Sequence, residues 1–284
     1  VLSGAAASNY VLTQQAPAAA TITPATLTVK ANADARFVGQ ADATGFNGVS
    51  YVGFVAGQDA STAGLTGTLA ITRSNASTGS AGTYAGVLVP SGLSAGNYAI
   101  NNVAGDYTII PAGQVLVKVA NTANVYGSAP NYTVSSVQYM TVGGNVLTSL
   151  TLSTATGSTY TFVDGINGSL TVTLGANGTP TPAGFLPVGS YAITGTNISQ
   201  TGGNFTGTPT IVGVQTVVPK ALTTTASKVY DGTTVFTSAQ VGLNGVLAGD
   251  TVSATGSADL AAPGAGSGKS YDLTGLGLAG AEAG

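Results

Sequence analysis

The stretch that decides the fold is Pro219-Lys-Ala-Leu-Thr-Thr-Thr-Ala-Ser-Lys-Val-Tyr-Asp-Gly-Thr-Thr-Val-Phe236. A proline opens it, apolar residues and threonines follow, and an aromatic residue, a turn dipeptide and β-branched residues close it. Such a pattern is typical of short, half-buried strands separated by a turn. Degenerate copies of the stretch begin at Pro24 and Pro111. The chain is therefore predicted to be a tandem array in which each copy is one small domain.

The composition favours a folded chain and argues against several kinds of chemistry. Of the 284 residues, 43% are hydrophobic and 6% are charged, with seven Lys and Arg against ten Asp and Glu. This faintly acidic balance argues against nucleic-acid partners. The chain has no Cys and no His, so disulfides, thiolate metal sites and the commonest general base are absent. No apolar run of 18 residues occurs, and no membrane insertion is expected.

Strand signals are strong and helix signals are weak along the whole chain. Apolar residues alternate with Thr or Ser at 26–30, 65–72, 146–152 and 169–174. Hairpin-turn dipeptides such as Asn47-Gly48 and Asn167-Gly168 punctuate these runs. We predict an all-β chain of tandem small β-domains, like beads on a string, with at most short helical turns.

Five sequence anchors recur in the same order. They are a proline, an aromatic residue near a glycine, an apolar residue three positions before a glycine, a Gly-x-Tyr unit and a Gly-Asn-aromatic unit. Tyr84 to Tyr98 spans 14 residues (98 − 84), and Tyr191 to Phe205 again spans 14 (205 − 191). We expect structural roles, in the core, at strand corners or in turns, for the anchor residues Tyr10, Phe37, Tyr84, Tyr98, Tyr126, Tyr191, Phe205, Tyr230, Asp231, Gly232 and Tyr271.

The anchors divide the chain into four parts. Residues 24–110 and 111–218 are predicted to be whole domains, and 219–284 to be a domain that lacks its last strand. Residues 1–23 carry the strand that ends a preceding domain of the same kind. Four of the eight residues at 277–284 are identical to those at 1–8, so a longer parent repeats every 276 residues (277 − 1), or separate chains meet here.

The second domain is longer than the first because of an addition near 157–187, which is predicted to be an added hairpin with a Pro-rich loop. Tyr160, Phe162 and Phe185 of this addition have no anchor role. Aromatic rings can stack on sugars, so these three are the predicted ligand-binding residues.

The acidic residues do not indicate a catalytic or metal site. Asp231, Asp250 and Asp272 could in principle supply paired carboxylates, but each lies beside a turn signal, where Asp is common for structural reasons. No Asp-x-Asp occurs, although calcium sites usually need several carboxylates. We expect no catalytic residues, no metal and no cofactor.

With these anchors defined, the chain resembles the MBG and YDG repeat domains of large bacterial surface exoproteins, the filamentous-haemagglutinin-like adhesins. The residues that carry the YDG resemblance are Lys228-Val-Tyr-Asp-Gly-Thr-Thr234. Those that carry the MBG resemblance are Asn124-Val-Tyr-Gly-Ser-Ala-Pro130, Ser91-Gly-Leu-Ser-Ala-Gly-Asn-Tyr98 and Asp106-Tyr-Thr-Ile-Ile-Pro111. The resemblance makes 24–110 and 111–218 MBG-like, 219–284 YDG-like, and 1–23 the end of a YDG-like repeat. The first domain departs from it, with Arg36-Phe-Val-Gly39 in place of Tyr-Gly.

The resemblance implies export and a location outside the cell or on the bacterial surface. We expect a structural stalk or fibre-forming segment of a secreted adhesin, without catalysis. The alternative is a carbohydrate- or matrix-binding module that uses the 157–187 addition, with an extracellular polysaccharide or host glycan as its partner. The other expected partners are adjacent copies of the repeat, arranged head to tail in a covalent array or by strand addition in a filament.

Overall fold

The structure is a computed structural model, and it describes residues 21–281 apart from residues 56 and 144. Strands dominate this part of the chain, and its one helical element is a 3-10 turn at Ser238–Gln240. The strands form several sheets that belong to three successive small domains. The prediction of an all-β chain of small tandem domains is confirmed. Tyr10 and most of the predicted 1–23 strand region lie outside the described residues.

The first domain consists of two sheets, and each sheet contains one pair of parallel strands. Its strands are β1 (Ala25–Ala31), β2 (Asp34–Phe37), β3 (Val49–Val52), β4 (Leu65–Arg73), β5 (Gly82–Ala95), β6 (Tyr98–Val103) and β7 (Gly105–Ile110). One sheet has the order β3-β1-β6 and the other β2-β7-β5-β4. β1 pairs in parallel with β6, and β2 pairs in parallel with β7. The opening and closing segments of the domain therefore run side by side in one direction, through both sheets.

The second domain repeats this plan and adds three strands. Its strands are β8 (Val115–Val119), β9 (Thr122–Val125), β10 (Val134–Met140), β11 (Leu147–Ser149), β12 (Thr151–Thr156), β13 (Thr159–Val163), β14 (Ser169–Ala176), β15 (Gly189–Thr201), β16 (Thr210–Val212) and β17 (Val214–Val218). β8 pairs in parallel with β16, and β9 with β17, as in the first domain. β14 and β15 correspond to β4 and β5 by their places in the sheets. The added strands are β11, β12 and β13.

The predicted addition near 157–187 is thus divided between different parts of the second domain. The hairpin β12–β13 and the short strand β11 lie at 147–163, which extends the sheets at their edges. β14 lies inside its sheet, between β13 and β15. The loop at 177–188 leads back from β14 to β15.

The strict alternation of apolar and Thr or Ser residues corresponds to one buried face of each strand. In β14, Leu170, Val172 and Leu174 are buried, while the threonines between them are half-buried. These leucines and valine join a single core with Phe162, Phe205 and eight other buried residues from both sheets of the second domain. Successive side chains of a strand point to opposite faces. The apolar residues at every second position of β14 therefore all face this core.

The third domain has a smaller core and an open sheet edge. Its strands are β18 (Thr223–Ala226), β19 (Val235–Thr237), β20 (Val241–Asn244), β21 (Ser253–Leu260), β22 (Tyr271–Asp272) and β23 (Leu276–Ala279). β21 pairs with β19, β22 and β23, and β18 pairs with β20. No described strand lies on the second edge of β18, where β6 and β16 lie beside β1 and β8.

The Gly-x-Tyr anchors form the same corner in the first two domains. Tyr84 donates its hydroxyl hydrogen to the carbonyl of Ser80 at 2.8 Å, and Tyr191 donates to the carbonyl of Pro187 at 2.9 Å. A tyrosine that bonds back to the backbone in this way fixes the path of the chain into its strand. Tyr271 of the third domain instead shares a hydrogen bond with the hydroxyl of Thr224 at 2.7 Å.

Leu170→Ala and Leu152→Ala apply the same change to the core and to an edge strand of the second domain. Leu170 is 0% exposed and Leu152 is 56% exposed. We expect Leu170→Ala to lower the free energy of unfolding of this domain by about 2–5 kcal/mol, because it leaves a cavity. Leu152→Ala should change it by less than about 0.5 kcal/mol. Urea unfolding followed by circular dichroism measures both, and equal losses would contradict the assignment of β14 to the core.

Candidate functional site

The first and second domains meet through a shared apolar cluster. Its members are Ala35, Phe37 and Ile110 from the first domain and Leu116, Met140 and Val212 from the second, and all of them are buried. Ala112, in the turn between the domains, packs against the cluster. Fusing two apolar surfaces into one cluster removes both from water and stabilises a fixed contact. The anchor residue Phe37 therefore serves the joint between the domains as well as its own domain.

Polar contacts extend this joint along the sides of both domains. Lys118 Nζ lies 3.0 Å from Asp34 Oδ1, and the Asp34 side chain is almost fully buried. Asn121 donates from Nδ2 to the carbonyl of Asn47 at 3.1 Å. Breaking one member of a buried ion pair is costly because the other charge is left in a poorly solvated place. The joint is thus specified by polar geometry as well as by apolar contact.

The order of these contacts shows that the chain reverses direction at 111–114. Phe37 shares the cluster with Leu116, and Asp34, which precedes Phe37, meets Lys118. Asn47, which is bonded to Asn32 and Ala33, meets Asn121, so partners further back in the first domain lie further along the second. Residues 49–60 of the first domain and 216–219 at the end of the second line one cavity. The second domain therefore runs back alongside the first, with no free linker between them.

The joint between the second and third domains is centred on Tyr126. Its hydroxyl donates to Asp250 Oδ2 at 2.5 Å and lies 2.7 Å from the hydroxyl of Thr181. Phe185 packs edge-to-face against the Tyr126 ring, with ring centroids 6.2 Å apart. The loop at 177–188 thus belongs to this joint, together with the turn that contains Asp250.

Two glycines allow the close approach at the second joint. Gly127 has φ +86°, and a Cβ there would lie 2.6 Å from Leu247 Cδ1. Gly249 has φ +101°, and a Cβ there would lie 2.9 Å from the carbonyl oxygen of Pro182. Left-handed backbone and a neighbour at contact distance both favour glycine.

The three predicted ligand-binding aromatics do not form a common surface. Phe162 is 3% exposed and belongs to the core of the second domain. Tyr160 stacks on Phe162 and donates its hydroxyl to the carbonyl of Tyr132 at 2.6 Å. Phe185 lies at the second joint with Tyr126. Alternation along β13 places Tyr160 and Phe162 on the same face, against the core, whereas the 177–188 loop carries Phe185 to the joint.

The Lys-Val-Tyr-Asp-Gly-Thr-Thr motif is a cage for one ammonium group. Lys228 Nζ donates to Asp231 Oδ1, to the carbonyls of Thr233 and Val235 and to the Thr233 hydroxyl, at 2.8–2.9 Å. The same ammonium lies 5.6 Å from the centre of the Phe236 ring. The Lys228 side chain is nearly buried. Five favourable partners offset the loss of water around this charge.

The cage explains why Tyr230 departs from the expected core role. Its side chain is 64% exposed, and the neighbouring Val229 is also exposed. The turn directs Lys228 inward and leaves Tyr230 on the exposed side. Gly232 has φ +78°, as a glycine in a turn does. Asp231 and Gly232 therefore have the predicted turn roles, whereas Tyr230 is a surface residue in the described part of the chain.

The three acidic residues considered for catalysis are engaged at separate places. Asp231 accepts from Lys228 and Thr233, Asp250 from Tyr126, and Asp272 from the amide of Thr274 at 2.9 Å. Among the described residues, no group of three or more His, Cys, Asp or Glu could hold a metal ion.

A buried ionic network in the first domain was not found from the sequence. Arg36 and Arg73 bind the two oxygens of Asp42 at 2.7 and 2.8 Å, and Tyr107 donates to the same carboxylate at 3.0 Å. Burial would raise the pKa of Asp42, but the hydrogen bonds from Arg73, Arg36 and Tyr107 outweigh it and lower the pKa. Arg36 is the residue by which this domain departs from the Tyr-Gly pattern. The other two partners of Asp42, Arg73 and Tyr107, lie 31 and 65 residues away in sequence.

The fold and the joints define the chain as a tandem β-domain protein. Residues 27–108 match the family model of the MBG domain (YGX type), and residues 214–284 match that of the YDG domain. These two matches confirm the resemblance to MBG and YDG domains. No curated protein and no solved structure matches the chain. No helix in the described ranges is long and apolar enough to cross a membrane.

Asp231→Asn should remove a pH dependence from the third domain. The hydrogen bond from Lys228, with those from Thr233, lowers the pKa of Asp231 from 3.8 to about 2. A depressed carboxyl pKa stabilises the fold above the unfolded pKa, and this stabilisation is lost as the pH falls through about 4 toward about 2. The protection of the β21 amides against hydrogen exchange can be measured from about pH 5 to about pH 2. In the native chain this protection should decrease as the pH falls.

The exposed Asp259, on β21, provides the control. Asp259→Asn should keep the pH dependence of the native chain, and Asp231→Asn should flatten it. A native-like pH profile in Asp231→Asn would show that the cage does not stabilise this domain.

Proposed function

We propose that the chain is a structural, force-carrying segment of a secreted bacterial surface protein, placed outside the cell or on its surface, with no catalytic step. MBG and YDG domains are compatible with a surface or adhesin-type β-domain protein. The observation that carries the proposal is the parallel pairing of the opening and closing strands in each of the first two domains.

The parallel pairing of the first and last strands determines the direction in which a pulling force loads the hydrogen bonds of a domain. Chain enters the first domain at the start of β1 and leaves it at the end of β7, so the two exits lie at opposite ends of the paired strands. A pull on the exits slides the strands along each other and loads all their backbone hydrogen bonds together. Pulling from one end would instead break the bonds one at a time. The fold thus suits a segment that must remain folded under tension.

The joints support the same role. The shared apolar cluster and the Lys118–Asp34 ion pair fix the second domain on the first, and Tyr126 fixes the third on the second. A segment with fixed joints transmits bending as well as tension. Neighbouring copies of the repeat, arranged head to tail, are the partners that this role requires.

No second function is advanced. The carbohydrate-binding alternative needs a platform made by Tyr160, Phe162 and Phe185, and these residues lie in a core and at a joint. The described acidic residues serve turns, cages and joints, and none of these arrangements favours an enzyme.

Single-molecule stretching of the chain from its two ends tests this proposal. After the lateral contact between the first two domains opens, we expect two high-force events. They should release about 300 Å for residues 25–110 and about 360 Å for residues 115–218, at roughly 3.3–3.6 Å per residue. The third domain should unfold at lower force, because no described strand closes β18.

The absence of native cysteines allows a geometric control. Handles on Thr23→Cys and Asn97→Cys pull β1 and β6 apart from the same end, because the Ala25 amide bonds the Asn97 carbonyl there. The first domain should then open at much lower force. Equal forces in both geometries would overturn the proposal that the terminal strands carry the load.

A further inference from the structure

The third domain contains a groove at the place where the other domains hold their closing strand. In the second domain β17 lies between β9 and β15, and in the first β7 lies between β2 and β5. The groove in the third domain has a volume of about 550 Å³, with residues 224–228 on one side and 263–269 with Tyr271 on the other. These two sides correspond to the neighbours of β17. The groove therefore has the position of a strand.

From this groove we infer that the third domain binds residues 9–23 of a second copy of this chain, as a parallel strand beside β18 and the Lys228 segment. The inference rests on the proposed role as a head-to-tail structural segment, and it names the contact by which copies join. Strand addition of this type satisfies a free sheet edge with backbone hydrogen bonds and uses side-chain pockets for specificity.

Ile22 has the sequence position of a core residue in the closing strands of the first two domains. It lies two residues before a proline, as do Ile109 of β7 and Val217 of β17. Ile109 is 1% exposed and Val217 is 2% exposed, whereas Ile22 is 95% exposed. An isoleucine at a core position of the repeat is thus left in water. Burying it in the groove supplies a favourable free energy for association.

The register follows from the second domain. There, Val218 precedes a proline and pairs with Val125, which precedes the tyrosine of a Val-Tyr pair. Thr23 precedes a proline and Val229 precedes a tyrosine in the same way. The expected parallel partners are Thr21 with Ser227, Ile22 with Lys228, and Thr23 with Val229.

A second cavity accepts the aromatic residue at the other end of the segment. In the first domain Tyr98 is buried, and its hydroxyl donates to Gln58 Oε1 and accepts from the Val55 amide. Tyr10 has the same place in its Asn-Tyr unit. The third domain has a cavity of about 260 Å³ at the corresponding place, lined by residues that include Leu222, Val246, Leu247, Asp250 and Leu278.

Asp250 supplies the acceptor that Tyr10 would need. Its amide bonds the Leu247 carbonyl at 3.2 Å, just as the Gln58 amide bonds the Val55 carbonyl at 3.0 Å, so the two turns are equivalent. Asp250 Oδ1 is buried and has no hydrogen-bond partner among the described residues, while Oδ2 accepts from Tyr126. A buried acceptor without a partner is costly, and a tyrosine hydroxyl in this cavity would satisfy it.

The geometry selects a second copy rather than the chain's own segment. Parallel pairing places the Tyr10 end of the strand at Lys220 and the Thr23 end at Val229. Residue 23 leads directly into β1, which pairs through Thr28–Ala31 with residues 49–52. Residues 49–60 line one cavity with residues 216–219. The chain's own Thr23 therefore lies toward the beginning of β18, whereas the strand must end near Val229. A neighbouring copy has no such restriction.

Sedimentation velocity of the full chain over a range of concentrations tests the association. The native chain should form head-to-tail oligomers, and Ile22→Asp should weaken the association at least about tenfold, because it places a charge in the groove. Ile22 is exposed, so this change leaves the described fold intact. Ile166→Asp, at a similarly exposed isoleucine on the turn between β13 and β14, should leave association unchanged. A native chain that stays monomeric throughout would overturn the inference.

Cysteine pairing tests the register and the choice of occupant. Mixed single variants Thr23→Cys and Val229→Cys should form a disulfide-linked dimer, whereas Ile166→Cys mixed with Val229→Cys should not. The double variant Thr23→Cys/Val229→Cys should form a ladder of covalent oligomers. A closed monomer with an internal disulfide would show that the chain's own segment fills the groove, which contradicts the inference. The stretching experiment on the first two domains does not depend on how the cysteines pair. A failure of this inference can therefore be told apart from a failure of the proposed function.

Discussion

The structure depends on one constraint, which is that each of the first two domains is closed by a strand that pairs in parallel with its own opening strand. β1 and β2 receive β6 and β7, and β8 and β9 receive β16 and β17. The closing strand ends one residue before the proline that opens the next domain. Each of the first two domains is thus completed by the strand that leads directly into its neighbour. The same paired strands close the sheets, connect the domain to its neighbour and carry the pulling force.

The contacts at the two joints hold successive domains against each other. The turn at 111–114 lets the second domain run back beside the first, and Phe37 and Met140 then belong to a shared cluster. At the next joint the same regions of the repeat meet again, with Tyr126 bound to Asp250. The apolar joint is strengthened by burial, and the polar joint is specified by a charge-assisted hydrogen bond.

The sequence predicts the strands and the repeat well, because both depend on local patterns. Alternation in β14 corresponds to burial of Leu170 and Val172, and the matched spacing of Tyr84 and Tyr191 corresponds to matched corners. Contacts between distant segments were not predictable in this way. Phe162 was predicted from the sequence to bind a ligand and is a core residue in the structure. Lys118 and Asp34 carry no motif, since their pairing depends on the reversal of the chain. Tyr230 matches an anchor by position, but the Lys228 cage displaces it to the surface.

The most direct test of closure by the last strand is to add a second copy of residues 9–24 after Gly284, where the repeat at 277–284 sets the register. Hydrogen exchange of the Thr224 and Thr225 amides then reports whether the groove beside β18 has been filled. The account predicts slower exchange at β18, a higher unfolding temperature of the third domain and loss of association between chains. A copy with the order of residues 9–24 scrambled should have none of these effects. Unchanged exchange and an unchanged unfolding temperature with the native order would contradict the account.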